Sequence, residues 1–124
     1  MCATIAIVDD DEAILDSIQL LLESEQCMAR LYARGRQLLD DLRDRFRPDC
    51  VLLDPHLPDI SGGDVVRQIS NIPLQIPVIV WTAQPQSSRA TDVLQAGIQV
   101  MLIKPVATEV LIKEIQVAIG NSQQ

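Results

Sequence analysis

The chain reads as an α/β domain: five strand–helix units wound into an open parallel sheet with helices on both faces. Short apolar runs begin near Thr4, Met28, Val51, Ile76 and Val100, recurring roughly every 22–26 residues, the room that one strand and one crossover helix need. Between the runs, apolar residues recur with helical spacing. The first, third, fourth and fifth runs are continuously apolar, as parallel strands buried on both faces require.

Each element has its own signals. Thr4-Ile5-Ala6-Ile7-Val8 is the first strand. Asp10 or Asp11 can cap the helix after it, whose stripe is Ile14, Ile18, Leu21 and Leu22, with Glu12 near its positive end. The second run, Met28 to Ala33, alternates and carries Arg30, so it belongs at a sheet edge. Leu38, Leu39, Leu42 and Phe46 mark the second helix. Arg43, Arg45 and Arg47 crowd its carboxyl end, where cations favour the helix dipole, and Asp40, Asp41 and Asp44 offset their charge. After Val51-Leu52-Leu53, Ser61 caps a helix bearing Val65, Val66 and Ile69. Ser87 or Ser88 caps the fourth and least hydrophobic helix, which offers Ala90, Val93 and Leu94 and follows Val78-Ile79-Val80-Trp81. Val100-Met101-Leu102-Ile103 leads to a last helix capped by Thr108 and striped by Leu111, Ile115, Ala118 and Ile119. Gly97 and Gly120 stand where the fourth and fifth helices should end, at positions that suit a left-handed cap. Pro48, Pro77 and Pro105 punctuate the joints.

Composition sets bounds. At 124 residues the chain is one domain, placed at residues 1–120, with 121–124 a polar tail or the start of a linker. Hydrophobic content of 48% with only 2% aromatic makes the core aliphatic. A net charge of −7 argues against nucleic acid or an anionic membrane as a direct partner. No apolar stretch approaches the roughly 20 residues of a spanning helix, and no signal peptide is recognisable, so a cytoplasmic domain is expected. Cys2, Cys27 and Cys50 lack CxxC spacing and fall near the starts of the first three strands; they read as small buried hydrophobes rather than a thiol cluster.

Asp9, Asp10, Asp54, Thr82 and Lys104 each stand directly after an apolar run. In a parallel sheet they gather at the carboxyl ends of the strands, where open α/β sheets bind ligands. Carboxylates crowded together repel unless a cation intervenes. Mg²⁺ suits them, taking one or two carboxylates plus a phosphate oxygen. A remaining carboxylate oxygen can attack phosphorus and form an acyl phosphate. The ammonium of Lys104, the hydroxyl of Thr82 and the N–H of Ala83 would steady the phosphoryl oxygens.

The segments Val8-Asp9-Asp10-Asp11, Val51-Leu52-Leu53-Asp54 with Pro58 and Gly62, Trp81-Thr82-Ala83, Ala96-Gly97 and Ile103-Lys104-Pro105 together resemble the receiver domains of two-component response regulators. The likeness runs from about residue 4 to 119, and is nearest to receivers attached to helix-turn-helix transcriptional outputs. It implies a flavodoxin-like (βα)5 fold with strand order 2-1-3-4-5. It implies Asp54 as phosphoacceptor, Asp10 as a direct Mg²⁺ ligand, Asp9 acting through water, and the backbone carbonyl of His56 completing the metal site. Lys104 and Thr82 match the phosphate-sensing pair. A sensor histidine kinase as phosphoryl donor, a DNA-binding output domain beyond this chain, and a homodimer through the fourth helix, fifth strand and fifth helix are implied by the same resemblance.

The chain also departs from that pattern. Met101 stands where the family usually has Tyr or Phe, so no ring can rotate there as Thr82 moves. Pro55 follows the acceptor and lacks the N–H that could face a phosphoryl group, so the acyl phosphate should be less well held. His56, expected as an exposed ring at the mouth, and Gln84 flank the route of a hydrolytic water. Two other classes compete with the phosphorylation switch. A phosphatase- or dehalogenase-like hydrolase with Asp54 as nucleophile would need a second carboxylate two residues on, where His56 stands. A degenerate receiver, binding partners without phosphorylation, is left open by Met101 and Pro55 and opposed by the intact acidic set, Thr82 and Lys104.

Overall fold

A computed structural model describes residues 3–98 and 100–122. The elements alternate: β1 Thr4–Val8, α1 Glu12–Ser24, β2 Met28–Tyr32, α2 Gly35–Arg43, β3 Cys50–Leu53, α3 Gly62–Ser70, β4 Val78–Thr82, α4 Ser88–Gln95, β5 Met101–Ile103 and α5 Thr108–Ser122. The sheet order is β2-β1-β3-β4-β5 with every neighbouring pair parallel, the order expected, and Arg30 lies on an edge strand.

Strand residues alternate between two aliphatic layers. Ile5, Ile7, Leu52, Ile79 and Trp81 pack against Leu15, Ile18 and Leu22 of α1 and Leu111, Ile115 and Ile119 of α5. Ala6, Val8, Val51 and Leu53 face Leu38, Leu39 and Leu42 of α2 and Val65, Val66 and Ile69 of α3. Because β1 and β3 pair with Val8 opposite Leu53, the residues that follow, Asp9 and Asp54, emerge side by side. The N–H of Asp54 donates to the Val8 carbonyl at 3.0 Å and that of Lys104 to the Thr82 carbonyl at 2.9 Å, carrying the ladder just past the strands.

The cap residues resolve the open choices and correct one. Asp11 caps α1, accepting from the N–H groups of Ala13 and Ile14; Ser61 caps α3 and Ser87 caps α4. Thr108 is not a cap: it is already helical, and the Ala107 carbonyl accepts from the N–H of Leu111 at 3.0 Å. Gly97 is left-handed at φ 105°, as expected, but α5 runs through Gly120 to Ser122, so Gly120 ends no helix. A tail starting at residue 121 therefore begins inside that helix.

Phe46 lies outside α2, which stops at Arg43. Arg45 turns the chain at φ 72°, and Phe46 folds back onto the α2/α3 layer beneath the Arg30 guanidinium, 4.5 Å from the ring centre. β4 and β5 start at Val78 and Met101, slightly later than the apolar runs. Cys50 is buried and Cys27 partly so; burial pushes the Cys50 thiol up to about 12, consistent with a small hydrophobe. Cys2 and the final residues 123–124 lie outside the described part.

Candidate functional site

Asp9, Asp54 and Thr82 are the buried polar side chains of the described residues, at 1%, 7% and 0% exposure. Buried carboxylates of one sign need a compensating charge. Lys104 provides it, its ammonium donating to Asp9 Oδ2 at 2.6 Å and Asp54 Oδ2 at 2.7 Å. The second oxygen of each acid is held by backbone: Asp9 Oδ1 accepts from the N–H of Asp11 at 3.0 Å, and Asp54 Oδ1 from the N–H of His56 at 2.7 Å.

Electrostatics follow from this burial. Desolvation pushes the Asp9 carboxyl above its ordinary range, against the lowering effect of the bonds from Lys104 and Asp11. Burial alone would lower Lys104, but its bonds to Asp54 and Asp9 outweigh it and hold the ammonium above its usual range. The same ammonium lies 4.8 Å from the centre of the Trp81 ring, a cation–π contact at the floor of the site.

Thr82 joins the acids through His56. Its Oγ1 accepts from the N–H of Gln84 at 2.9 Å and lies 3.4 Å from His56 Nδ1, which is 3.5 Å from Asp54 Oδ1. On the far side of the ring, Nε2 is 2.8 Å from Ser87 Oγ. The expectation of an exposed ring is thus corrected: the side chain is 28% exposed and wedged between three polar groups, because Ser87 offers a partner within reach. Asp10, Ala83 and Gln84 are exposed around the rim, whereas Met101 is partly buried at the start of β5, opposite Val80. Pro55 is buried beneath the rim, its carbonyl accepting from the N–H of Gly62 at 3.3 Å. A Cβ on Gly62 would stand 2.6 Å from Pro55 Cα, so only glycine permits that approach.

Sequence reading missed three contributors. Trp81 was legible only as a strand residue and Ser87 only as a cap. Asp59 accepts from the N–H groups of Gly35 at 3.1 Å and Arg36 at 2.9 Å, pinning α2 to the loop after β3. Arg34 precedes that helix and has no acceptor with which to cap it, so the acid comes from 24 residues away. The unfavourable residue at the cap was the available signal.

Among the described residues no three acid, His or Cys side chains already converge at metal-binding distance; the Lys104 ammonium stands between the buried acids. The donor chemistry nevertheless fits a hard cation, since the available ligands are carboxylate and carbonyl oxygens and the two buried acids share a single ammonium.

A five-stranded 2-1-3-4-5 parallel sheet with paired acids, a hydroxyl and a lysine at its carboxyl edge is the arrangement of a receiver-like α/β domain. Residues 5–116 match the response regulator receiver domain, and the chain belongs to that family. It is 36% identical to response regulator MprA of Mycolicibacterium vanbaalenii over 112 residues, 90% of this chain and 48% of that one. To the transcriptional regulatory protein CreB of Escherichia coli it is 31% identical over 82% of this chain and 44% of that one. The receiver domain of sensor histidine kinase PA1611 from Pseudomonas aeruginosa, solved with a magnesium ion in its active-site cleft, matches at TM-score 0.88 and 29% identity, covering 97% of this chain and 99% of that one. The chain spans about half the length of the curated relatives it matches.

Proposed function

We propose that the domain accepts a phosphoryl group from a sensor histidine kinase onto Asp54 and so switches an output surface. The observation that carries this reading is the Lys104 ammonium bridging Asp9 Oδ2 at 2.6 Å and Asp54 Oδ2 at 2.7 Å, a charge already aimed at the acceptor carboxylate. Asp9, Asp10, Asp54 and the His56 carbonyl would hold Mg²⁺, which supplies charge neutralisation for the incoming phosphoryl oxygens. An Asp54 oxygen attacks phosphorus as the bond to the donor nitrogen breaks. Lys104 follows the new charge, and the Thr82 hydroxyl and Ala83 N–H steady the other oxygens. Pro55 offers no N–H, which weakens the hold, and His56 and Gln84 flank the path of attacking water.

The switch acts by shifting a pre-existing equilibrium, so the domain is a signalling module rather than a turnover enzyme. Exposed Leu94 on α4, Ile103 on β5 and Val110 on α5 support that face as the readout and homodimer surface, with Met101, partly buried on β5, in place of an aromatic ring. The matched regulators extend well beyond this chain, which favours a DNA-binding output, attached or partnered, and a transcriptional role in the cytoplasm. No helix among the described residues is long and apolar enough to cross a membrane.

Incubation with Mg²⁺ and acetyl phosphate, read by intact mass, tests the proposal. Wild type should gain one phosphoryl group and Asp54→Asn none. No gain under conditions that phosphorylate a control receiver would favour the second reading, a phosphorylation-independent interaction module, which Pro55 and Met101 motivate. A decay rate typical of the family would remove the role given to Pro55, and an unchanged rate in His56→Asn the role given to His56 in water access.

A further inference from the structure

We propose that His56 is a positioning residue that couples Asp54 to the first turn of α4 through Ser87, a coupling that rests on the acceptor role proposed above. The ring touches both ends of that route: Nδ1 lies 3.5 Å from Asp54 Oδ1 and 3.4 Å from Thr82 Oγ1, while Nε2 is 2.8 Å from Ser87 Oγ. Ser87 is the N-cap of α4, its Oγ accepting from the N–H of Ala90 at 3.1 Å. Since Nδ1 faces a carboxylate, the proton belongs on Nδ1, and Nε2 accepts from the Ser87 hydroxyl. One imidazole thus ties the acceptor loop to the start of a helix on the readout face.

A phosphoryl group on Asp54 introduces strong anionic acceptors within reach of both neighbours of the ring. Thr82 turns its hydroxyl to one oxygen and leaves Nδ1. The Nδ1–H follows another, since acylation removes the charge from the Asp54 carboxylate it faced and places it on the phosphoryl oxygens, and the ring swings Nε2 away from Ser87. The cap bond to Ala90 survives, but the first turn of α4 loses its anchor. Arg89 stays as a second tether, donating to the Leu57 carbonyl at 2.7 Å, so the helix loosens locally without detaching. Such a route reaches α4 directly and needs no aromatic ring at Met101.

The chain has a single histidine, so its ring nitrogens can be followed by long-range proton–nitrogen NMR without ambiguity. At fixed pH, Mg²⁺ and acetyl phosphate are added to the intact chain, phosphorylation is confirmed by intact mass, and amide exchange is measured across α4. Phosphorylated wild type should move its Nε2 signal to the position seen in unphosphorylated Ser87→Ala, and exchange at the start of α4 should quicken several-fold. His56→Ala should exchange quickly before phosphorylation and show no further step. Arg89→Ala should exchange faster in both states yet keep the step, which separates coupling from simple loosening. A mass gain with Nε2 and α4 unchanged, or a His56→Ala step as large as that of wild type, overturns the coupling alone. Absence of any mass gain overturns the acceptor role and the coupling with it.

Discussion

β3 and β5 belong to one sheet, yet they are built differently. All four residues of β3 are buried at 0% exposure, whereas β5 has three residues, two partly buried and one exposed. Each strand delivers a site residue: Asp54 follows β3, and Lys104 follows β5. The neighbours match the strands. α1, α2 and α3 bury several large aliphatic side chains each, and α4 buries only Ala90 and Val93. Acids that need fixed positions sit on the stiff half of the fold, and the elements that would register a change sit on the lightly packed half. Local stability follows buried contact, so the α4–β5 side should move at the lower free-energy cost.

Truncation on each side would break this contrast most sharply. Leu52→Ala in β3 should cost about 2–5 kcal/mol, because it removes a fully buried side chain from the α1/α5 layer. Leu94→Ala on α4, 49% exposed in wild type, should stay within about 0.5 kcal/mol. Urea unfolding reads both, and comparable losses would show that the two halves are equally load-carrying.

Lys104→Ala tests the link between the halves. Removing one partner of a buried ion cluster leaves Asp9 and Asp54 uncompensated and should destabilise by about 3 kcal/mol. If the proposed Mg²⁺ site is formed by these acids, millimolar Mg²⁺ should raise the melting temperature of the variant more than that of wild type, since a metal there would no longer compete with the ammonium for the same oxygens. Equal shifts would place the metal elsewhere.

How much of this was legible depended on the distance over which each residue acts. Strand order came from the family resemblance, whereas the meeting of Asp9, Asp54 and Lys104 was readable because each residue directly follows an apolar run, which places it at the carboxyl end of a parallel strand. The Ser87–His56 bond and the Asp59 cap of α2 were not, because they join loops 31 and 24 residues apart that no periodicity relates. Phe46 misled for a related reason: its spacing continues the helical stripe, and the left-handed turn at Arg45 cannot be anticipated from a residue that rarely adopts it.

Asp59 supplies a smaller test on the stiff side. Asp59→Ala should cost about 1 kcal/mol through loss of the cap on α2. Burial alone would raise its carboxyl, but the N–H groups of Arg36 and Gly35 hold it below the ordinary carboxylate range. A lowered folded value means the contribution is present above the unfolded value of about 3.9 and is lost as pH falls through the folded one. The stability gap between wild type and Asp59→Ala should therefore be constant near neutrality and close under acid. A gap that widens on acidification would rule out capping by the ionised form.

Small effects of opposite sign sit at two glycines that look alike in the sequence. Gly97 follows α4 at φ 105°, and although a Cβ there meets nothing within 4 Å, the backbone itself is strained for an L-residue. Gly97→Ala should destabilise by about 1 kcal/mol. Gly120 lies within α5, also with open space around a Cβ, and there alanine removes the entropy cost of a helical glycine. Gly120→Ala should stabilise by about 0.5–1 kcal/mol. Thermal unfolding of the two variants settles how the fifth helix ends, because a left-handed cap at Gly120 would turn that gain into a loss. With the gain, α5 continues as helix past Gly120.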